Sequence, residues 1–122
     1  MIIVATDAPL DSRQLHRLAA RAILGMARTG STGSHGSGDY VIAFSTSGNF
    51  TLTSGTLRPA VVQRMMVSDG DLSRLFEATV DSTEEAIYNS LLRATTVRGD
   101  QGHVAEAIPI EKLREVLKRY GR

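Results

Sequence analysis

Cysteine and tryptophan are absent from this sequence, and aromatic residues make up 5% of it. Without cysteine the chain can form neither a disulfide nor a thiolate metal site, and it has no cysteine nucleophile. No run of about 18 apolar residues occurs, and the first residues lack the basic flank and long apolar region of a signal peptide. We therefore expect a soluble, cytoplasmic protein.

A strong charge of one sign is also lacking, because 14 Lys and Arg face 13 Asp and Glu and the formal net charge is +1. So small a charge creates no large field that would attract a polyanion. The three histidines, His16, His35 and His103, show no metal-ligand spacing, although folding can bring distant residues together. We expect no nucleic-acid partner, no membrane partner, no metal and no cofactor.

The apolar content, 42% of 122 residues, is enough for one domain, which we expect to span residues 1–122. The hydrophobic periodicity predicts a strand at residues 1–6, a helix capped by Asp11 or Ser12, a β-hairpin of strands 40–46 and 50–53, a helix over about 71–95, and a final helix opened by Pro109. Because strands joined by a tight turn pair antiparallel, this order predicts an α+β fold with helices layered on a mainly antiparallel sheet.

The first strand and the first helix each have a surface whose environment the sequence predicts. The strand at residues 1–6 is apolar nearly throughout, which is typical of a strand buried on both faces. A sheet with one exposed face would need a second sheet or another chain to cover it, so we expect a homo-oligomer. The first helix carries Arg13, Arg17 and Arg21 on its outer side, and we expect these arginines to be solvated.

The segment at residues 28–39 contains four glycines and three serines, and we name it the glycine loop. Glycine lets a ligand approach the main chain closely, while Ser, His and Asp supply hydrogen-bonding and acid–base groups. The same composition is typical of a flexible surface connection. A phosphate-binding loop is a weaker alternative, because this loop runs from a helix to a strand and has no Gly-Lys-Ser/Thr element.

Several stretches together resemble one family of hydrolases. They are VATDAPL at residues 4–10, the glycine loop with the preceding alanine, TEEAI at residues 83–87, and the tail from GH to LKRYGR at residues 102–122. These stretches are similar to the C-terminal, β-subunit portion of the DmpA-type aminopeptidases, a family of L-aminopeptidase/D-esterases and β-peptidyl aminopeptidases. The resemblance covers essentially the whole chain.

The resemblance implies an N-terminal-nucleophile hydrolase. In that family a precursor cuts itself, and the hydroxyl residue that then heads the β-subunit attacks amides or esters of small N-terminal residues, with its own amine as general base. An αββα sandwich is implied, of which this chain would supply half and an α-subunit-like segment the rest. Ser37 and Asp39 match a serine and an acidic residue, often Glu, near the nucleophile. Gly36 and Gly38 beside them would then be substrate-binding positions.

The chain departs from the family pattern at its start. The nucleophile is expected just before Met1 or Ile2, and the sequence holds no Ser or Thr there. A thioether cannot attack a carbonyl, so we expect the chain alone not to hydrolyse small peptides or amino-acid amides. Two interpretations stay open: a β-subunit-like segment without its nucleophile and α-segment, or a catalytically inactive domain of the same fold that serves assembly or small-ligand binding.

Overall fold

The computed structural model describes residues 1–48 and 64–121. Its helices and strands, in chain order, are β1 (Ile2–Thr6), α1 (Ser12–Arg28), β2 (Val41–Ser45), α2 (Leu72–Leu92), β3 (Val97–Arg98), β4 (Val104–Ala105) and α3 (Ile110–Arg119). The α+β class predicted from the sequence is confirmed. The second hairpin strand, predicted at residues 50–53, lies outside the described residues.

Two compact units make up the chain, Met1–Glu84 and Glu85–Arg122, and each is described by itself. The first unit contains β1, α1, β2 and most of α2. The single domain expected over residues 1–122 stays a prediction.

β1 and β2 pair in parallel, with Ile2 opposite Val41 and Thr6 opposite Ser45. The prediction of a mainly antiparallel sheet is therefore wrong for this pair. The physical reason is that α1 lies between the two strands in sequence and carries the chain back, so that β2 starts at the same end as β1. The N-terminal ends of both strands consequently lie together, at the point where the glycine loop enters β2.

α1 begins at the cap that the sequence predicts. The Asp11 carboxylate accepts a hydrogen bond from the Gln14 backbone at 2.7 Å, and the Gln14 side chain accepts one from the Asp11 backbone at 3.2 Å. This reciprocal capping box satisfies two N–H groups that would otherwise lack partners. The core that the helix helps to form consists of Leu10, Leu18 and Leu72, packed against Val4, Ala8, Leu15, Val67, Leu75 and Phe76.

The arginines of α1 are partly solvated, as predicted, with 56% of the Arg13 side chain and 37% of the Arg17 side chain exposed, and they also make specific contacts. Arg13 donates two hydrogen bonds to the Asp69 carboxylate at 3.1 and 3.0 Å, and Arg17 lies 3.5 Å from the same carboxylate. The guanidinium groups of Arg17 and Arg21 lie 5.2 and 4.2 Å from the centre of the Phe76 ring, close enough for cation–π attraction. This face of α1 therefore binds the segment before α2 and α2 itself.

One face of the β1–β2 sheet is exposed in the described part of the chain. Ile3, Ile42 and Phe44 expose 59%, 54% and 44% of their surface, whereas Val4 on the other face packs against the core. The prediction that β1 is buried on both faces is thus wrong for this structure, because α1 covers one face only. The open sheet face is formed by Met1, Ile3, Ala5, Tyr40, Ile42 and Phe44.

α2 spans Leu72–Leu92, which confirms the long helix predicted over residues 71–95. In the second unit, β3 and β4 pair antiparallel around a 3₁₀ turn at Asp100–Gly102, where the sequence predicted a turn without the short strands. α3 follows Pro109, as predicted. No helix in the described part of the chain has the length and apolar character needed to cross a membrane.

Candidate active site

The glycine loop starts with a tight end to α1. The Thr29 hydroxyl donates to the Met26 carbonyl at 2.7 Å, and the Gly30 N–H donates to the Ala27 carbonyl at 3.0 Å. Gly30 has a φ of +98°, and Gly36 farther along has a φ of +92°. Since side chains other than hydrogen rarely permit such angles, glycine at these two positions determines the path of the loop.

Ser37 and Asp39 are brought together at the end of the loop. The Ser37 hydroxyl donates a hydrogen bond to the Asp39 carboxylate at 2.5 Å, the short distance of a charge-assisted O–H···O⁻ bond. The Ser37 N–H donates to the Ser34 carbonyl at 2.9 Å, which closes a turn around Gly36. Gly36 has open space where a side chain would begin, so the backbone beside the Ser37–Asp39 pair is accessible.

The N-terminal end of β1 lies beside this part of the loop. The Ile2 N–H donates to the Tyr40 carbonyl at 2.8 Å, and Ile2 lies opposite Val41 in the parallel register. If the register continues, Met1 lies opposite Tyr40, and a residue attached before Met1 would lie opposite Asp39. Paired strands are about 4.8 Å apart, so such a residue would enter the immediate surroundings of the Ser37–Asp39 pair.

Arg28, the last residue of α1, connects the base of the loop to α2. Its guanidinium donates to the Asp81 carboxylate at 2.6 Å and lies 3.5 Å from Glu84. The hydrogen bond with Asp81 is the main cause that raises the pKa of Arg28. Sequence reasoning assigned no role to this arginine. The sequence does indicate the acidic half of this contact, because Asp81 and Glu84 are three residues apart and share one face of α2. It does not indicate which basic residue pairs with them.

The Ser37–Asp39 pair can position a reacting group, but the loop shows no activated nucleophile of its own. A serine hydroxyl is a weak nucleophile unless an adjacent base takes its proton. His35 makes no hydrogen bond to a serine within this fully described loop. In residues 1–48 and 64–121 no group of three His, Asp or Glu side chains is arranged to hold a metal ion. The arrangement is suited to orienting a nucleophile that is supplied from outside the loop.

Comparison with known proteins identifies the family. The sequence model of peptidase family S58 matches residues 1–105. The chain belongs to peptidase family S58. The resemblance to the DmpA-type aminopeptidases is thereby confirmed.

Related sequences extend well beyond the matched part. The chain is 42% identical over 123 residues to the beta-peptidyl aminopeptidase BapA of Sphingosinicella microcystinivorans, a match that covers 100% of this chain and 30% of BapA. The BapA of Sphingosinicella xenopeptidilytica is 37% identical over 118 residues, covering 97% of this chain and 29% of that protein. The chain thus spans somewhat less than a third of the length of these S58 relatives.

Solved structures agree with this assignment. The PH0078 protein from Pyrococcus horikoshii OT3 gives a TM-score of 0.86 at 47% identity, covering 99% of this chain and 33% of that one. The L-aminopeptidase D-Ala-esterase/amidase from Ochrobactrum anthropi, described as a new variant among the Ntn hydrolase fold, gives 0.85 at 41% identity, covering 99% and 34%. The fold of this S58 chain is therefore similar to a part of an Ntn hydrolase.

Proposed function

We propose that this chain is the β-subunit-like segment of a self-processing aminopeptidase that hydrolyses N-terminal residues from small peptides, amides or esters. The observation that carries the proposal is the 2.8 Å hydrogen bond from the Ile2 N–H to the Tyr40 carbonyl. It holds the start of β1 beside the loop that carries Ser37 and Asp39. The attacking hydroxyl residue of the proposed enzyme belongs at this end of β1, directly before the strand.

In the proposed reaction, the free amine of the attacking residue takes the proton of its own hydroxyl while the oxygen attacks the substrate carbonyl. The bond to the leaving amine or alcohol then breaks, the leaving group receives that proton, and an acyl-enzyme ester remains. Water hydrolyses the ester and releases the N-terminal residue as an acid. The Asp39 carboxylate, acting with the Ser37 hydroxyl 2.5 Å away, orients the attacking residue and stabilises the charge on its amine.

An α-subunit-like segment is the proposed partner. Apolar side chains on the open sheet face, among them Ile3 and Ile42, are more than half exposed, and a second sheet packed about 10 Å away would bury them. This packing would complete an αββα sandwich. The S58 relatives support the proposal, because about 70% of BapA lies outside the match with this chain.

Reconstitution tests the proposal. The chain would be produced in two versions, with a free N-terminal Ser directly before Met1 or directly before Ile2, each together with the portion of BapA that this chain does not match. We expect one of these complexes to hydrolyse amino-acid p-nitroanilides and the unmodified chain alone to hydrolyse none. Inhibitor-sensitive turnover by the unmodified chain, with contaminants excluded, would contradict the proposed nucleophile and favour Ser31, Ser34 or Ser37 acting with His35.

Variants of the reconstituted enzyme test the site residues. Asp39→Asn should lower kcat by about 10²–10⁴-fold, the range for a positioned acid–base group, and Ser37→Ala should lower it less. Asp39→Glu keeps the carboxylate and should retain much of the rate. Ser34→Ala, in the same loop, is the matched control. Full turnover in both Ser37→Ala and Asp39→Asn would refute the site, whereas an assembled but inactive complex would favour the role in assembly or small-ligand binding.

A further inference from the structure

Tyr40 lies where the glycine loop meets the open sheet face. Its side chain is 70% exposed, although its backbone carbonyl is held by the Ile2 N–H. The edge of its ring lies 3.6 Å from the point where a Cβ on Gly38 would be. The edge of the ring therefore lies next to Gly38, the residue between Ser37 and Asp39 in the sequence, and the ring contributes little to the core of the described unit.

The opposite face of the sheet holds the core of the first unit. α1 covers that face of the sheet, and Val4 and Leu15 pack there against the buried Leu10 and Leu18. With a second sheet packed on the open sheet face, a substrate would reach the start of β1 past the strand ends, where Tyr40 lies. Among the aromatic side chains on the open face, Tyr40 precedes β2 and adjoins the loop, whereas Phe44 lies near the opposite end of the strand.

We propose that Tyr40 determines substrate specificity, with its ring forming a wall against which the side chain of the substrate's N-terminal residue packs. The inference rests on the proposed function, because it requires that the acyl group is held at the start of β1. An aromatic ring offers a large apolar surface of fixed shape. A side chain too large for the space beside the ring must displace it, and this requirement limits the size of residue that the enzyme accepts.

The reconstituted enzyme provides the test, with kcat/KM measured for alanine and phenylalanine p-nitroanilides. Removing the ring in Tyr40→Ala makes room, so the ratio of kcat/KM for phenylalanine to that for alanine should rise about 10-fold or more. Tyr40→Phe keeps the ring and should keep the ratio. Tyr40→Trp enlarges the wall and should lower the ratio of kcat/KM for phenylalanine to that for alanine.

Leu24→Ala is the matched control, because it removes another exposed apolar side chain, 56% exposed on α1, and should leave the ratio unchanged. An active Tyr40→Ala variant with the parent's ratio would refute the proposed role of the Tyr40 ring and leave the proposed function intact. A reconstituted parent without turnover would instead overturn the proposed function itself. If Tyr40→Ala fails to assemble, Tyr40→Trp decides the question. A lower ratio in Tyr40→Trp supports the wall, and an unchanged or higher ratio overturns it.

Discussion

At the scale of single residues, Gly25 determines how closely α1 approaches α2. A Cβ built on Gly25 would lie 2.5 Å from the Val80 carbonyl oxygen and 2.8 Å from the Thr83 Cβ. A Cβ atom in a folded protein does not approach non-bonded heavy atoms so closely, and a backbone carbonyl inside a helix cannot turn aside. The two helices would have to separate to accommodate even one methyl group.

We expect Gly25→Ala to lower the free energy of unfolding by about 1–3 kcal/mol, the usual cost of overpacking. Helix propensity alone would predict the opposite sign, because alanine is favoured over glycine by about 1 kcal/mol in a helix. Urea unfolding followed by circular dichroism measures the change. Leu24→Ala, on the exposed side of α1, is the control and should stay within about 0.5 kcal/mol of the parent. A Gly25→Ala variant as stable as the parent would show that the helices do not meet there.

Residue-scale predictions from the sequence succeeded where the signal was local. The Asp11 cap needed only its neighbours along the chain, whereas the roles assigned to Ser37 and Asp39 in the glycine loop stay predictions. The Arg28–Asp81 ion pair joins residues 53 positions apart, and no local pattern selects one arginine among several. Tyr40 was included in the predicted strand, but its position over Gly38 depends on the path of the loop, which the sequence does not reveal.

At the scale of elements, the strand pairing illustrates the limit of sequence reasoning. The apolar patterns located β1, α1, β2 and α2 to within a few residues. Pairing direction depends on the connection between strands, and the hairpin signal after β2 led to an antiparallel prediction for the whole sheet. The 17-residue helix between β1 and β2 is long enough for a parallel crossover, and in this structure that connection decides the direction.

The start of α1 is anchored to the segment before α2 through Asp69. Arg13 forms a two-pronged hydrogen bond to the Asp69 carboxylate, and the Gln14 side chain donates to Asp69 at 3.2 Å and to the Val67 carbonyl at 2.8 Å. The hydrogen bonds from Arg13 and Gln14, in that order, lower the pKa of Asp69 below its ordinary value of 3.8. A lowered pKa in the folded state means that the ionised carboxylate stabilises the fold.

This linkage predicts how stability depends on pH. The contribution of Asp69 is fully present above about 3.8 and is lost as the pH falls through the lowered pKa of the folded state. Asp69→Asn should therefore lower the melting temperature at neutral pH, and the difference from the parent should shrink below pH 3.8. Differential scanning calorimetry over this range measures it. Leu24→Ala, which removes no titratable group, should show no such convergence; if both variants behave alike, the Asp69 contacts do not stabilise the fold.

At the scale of the whole molecule, the open sheet face and the family assignment both lead us to expect a further segment that covers this face. The sequence predicted that β1 requires cover on both faces, and the described chain covers one. That prediction failed for this chain because α1 covers only one face of the sheet. The S58 relatives, roughly three times as long, have further sequence from which such cover can come.

We expect the isolated chain to self-associate through the open sheet face, because Ile3, Ile42 and Phe44 form an apolar surface next to one another across β1 and β2. Light scattering should give an average mass above 13.2 kDa that increases with protein concentration. Ile42→Glu and Phe44→Glu should shift the chain towards the monomer, since a buried unpaired carboxylate is costly. Leu24→Glu places the same charge on α1, away from this face, and should leave association unchanged. Adding the α-subunit-like segment should suppress association, because the segment would occupy the open sheet face. A chain that stays strictly monomeric at high concentration would show that the open sheet face drives no assembly.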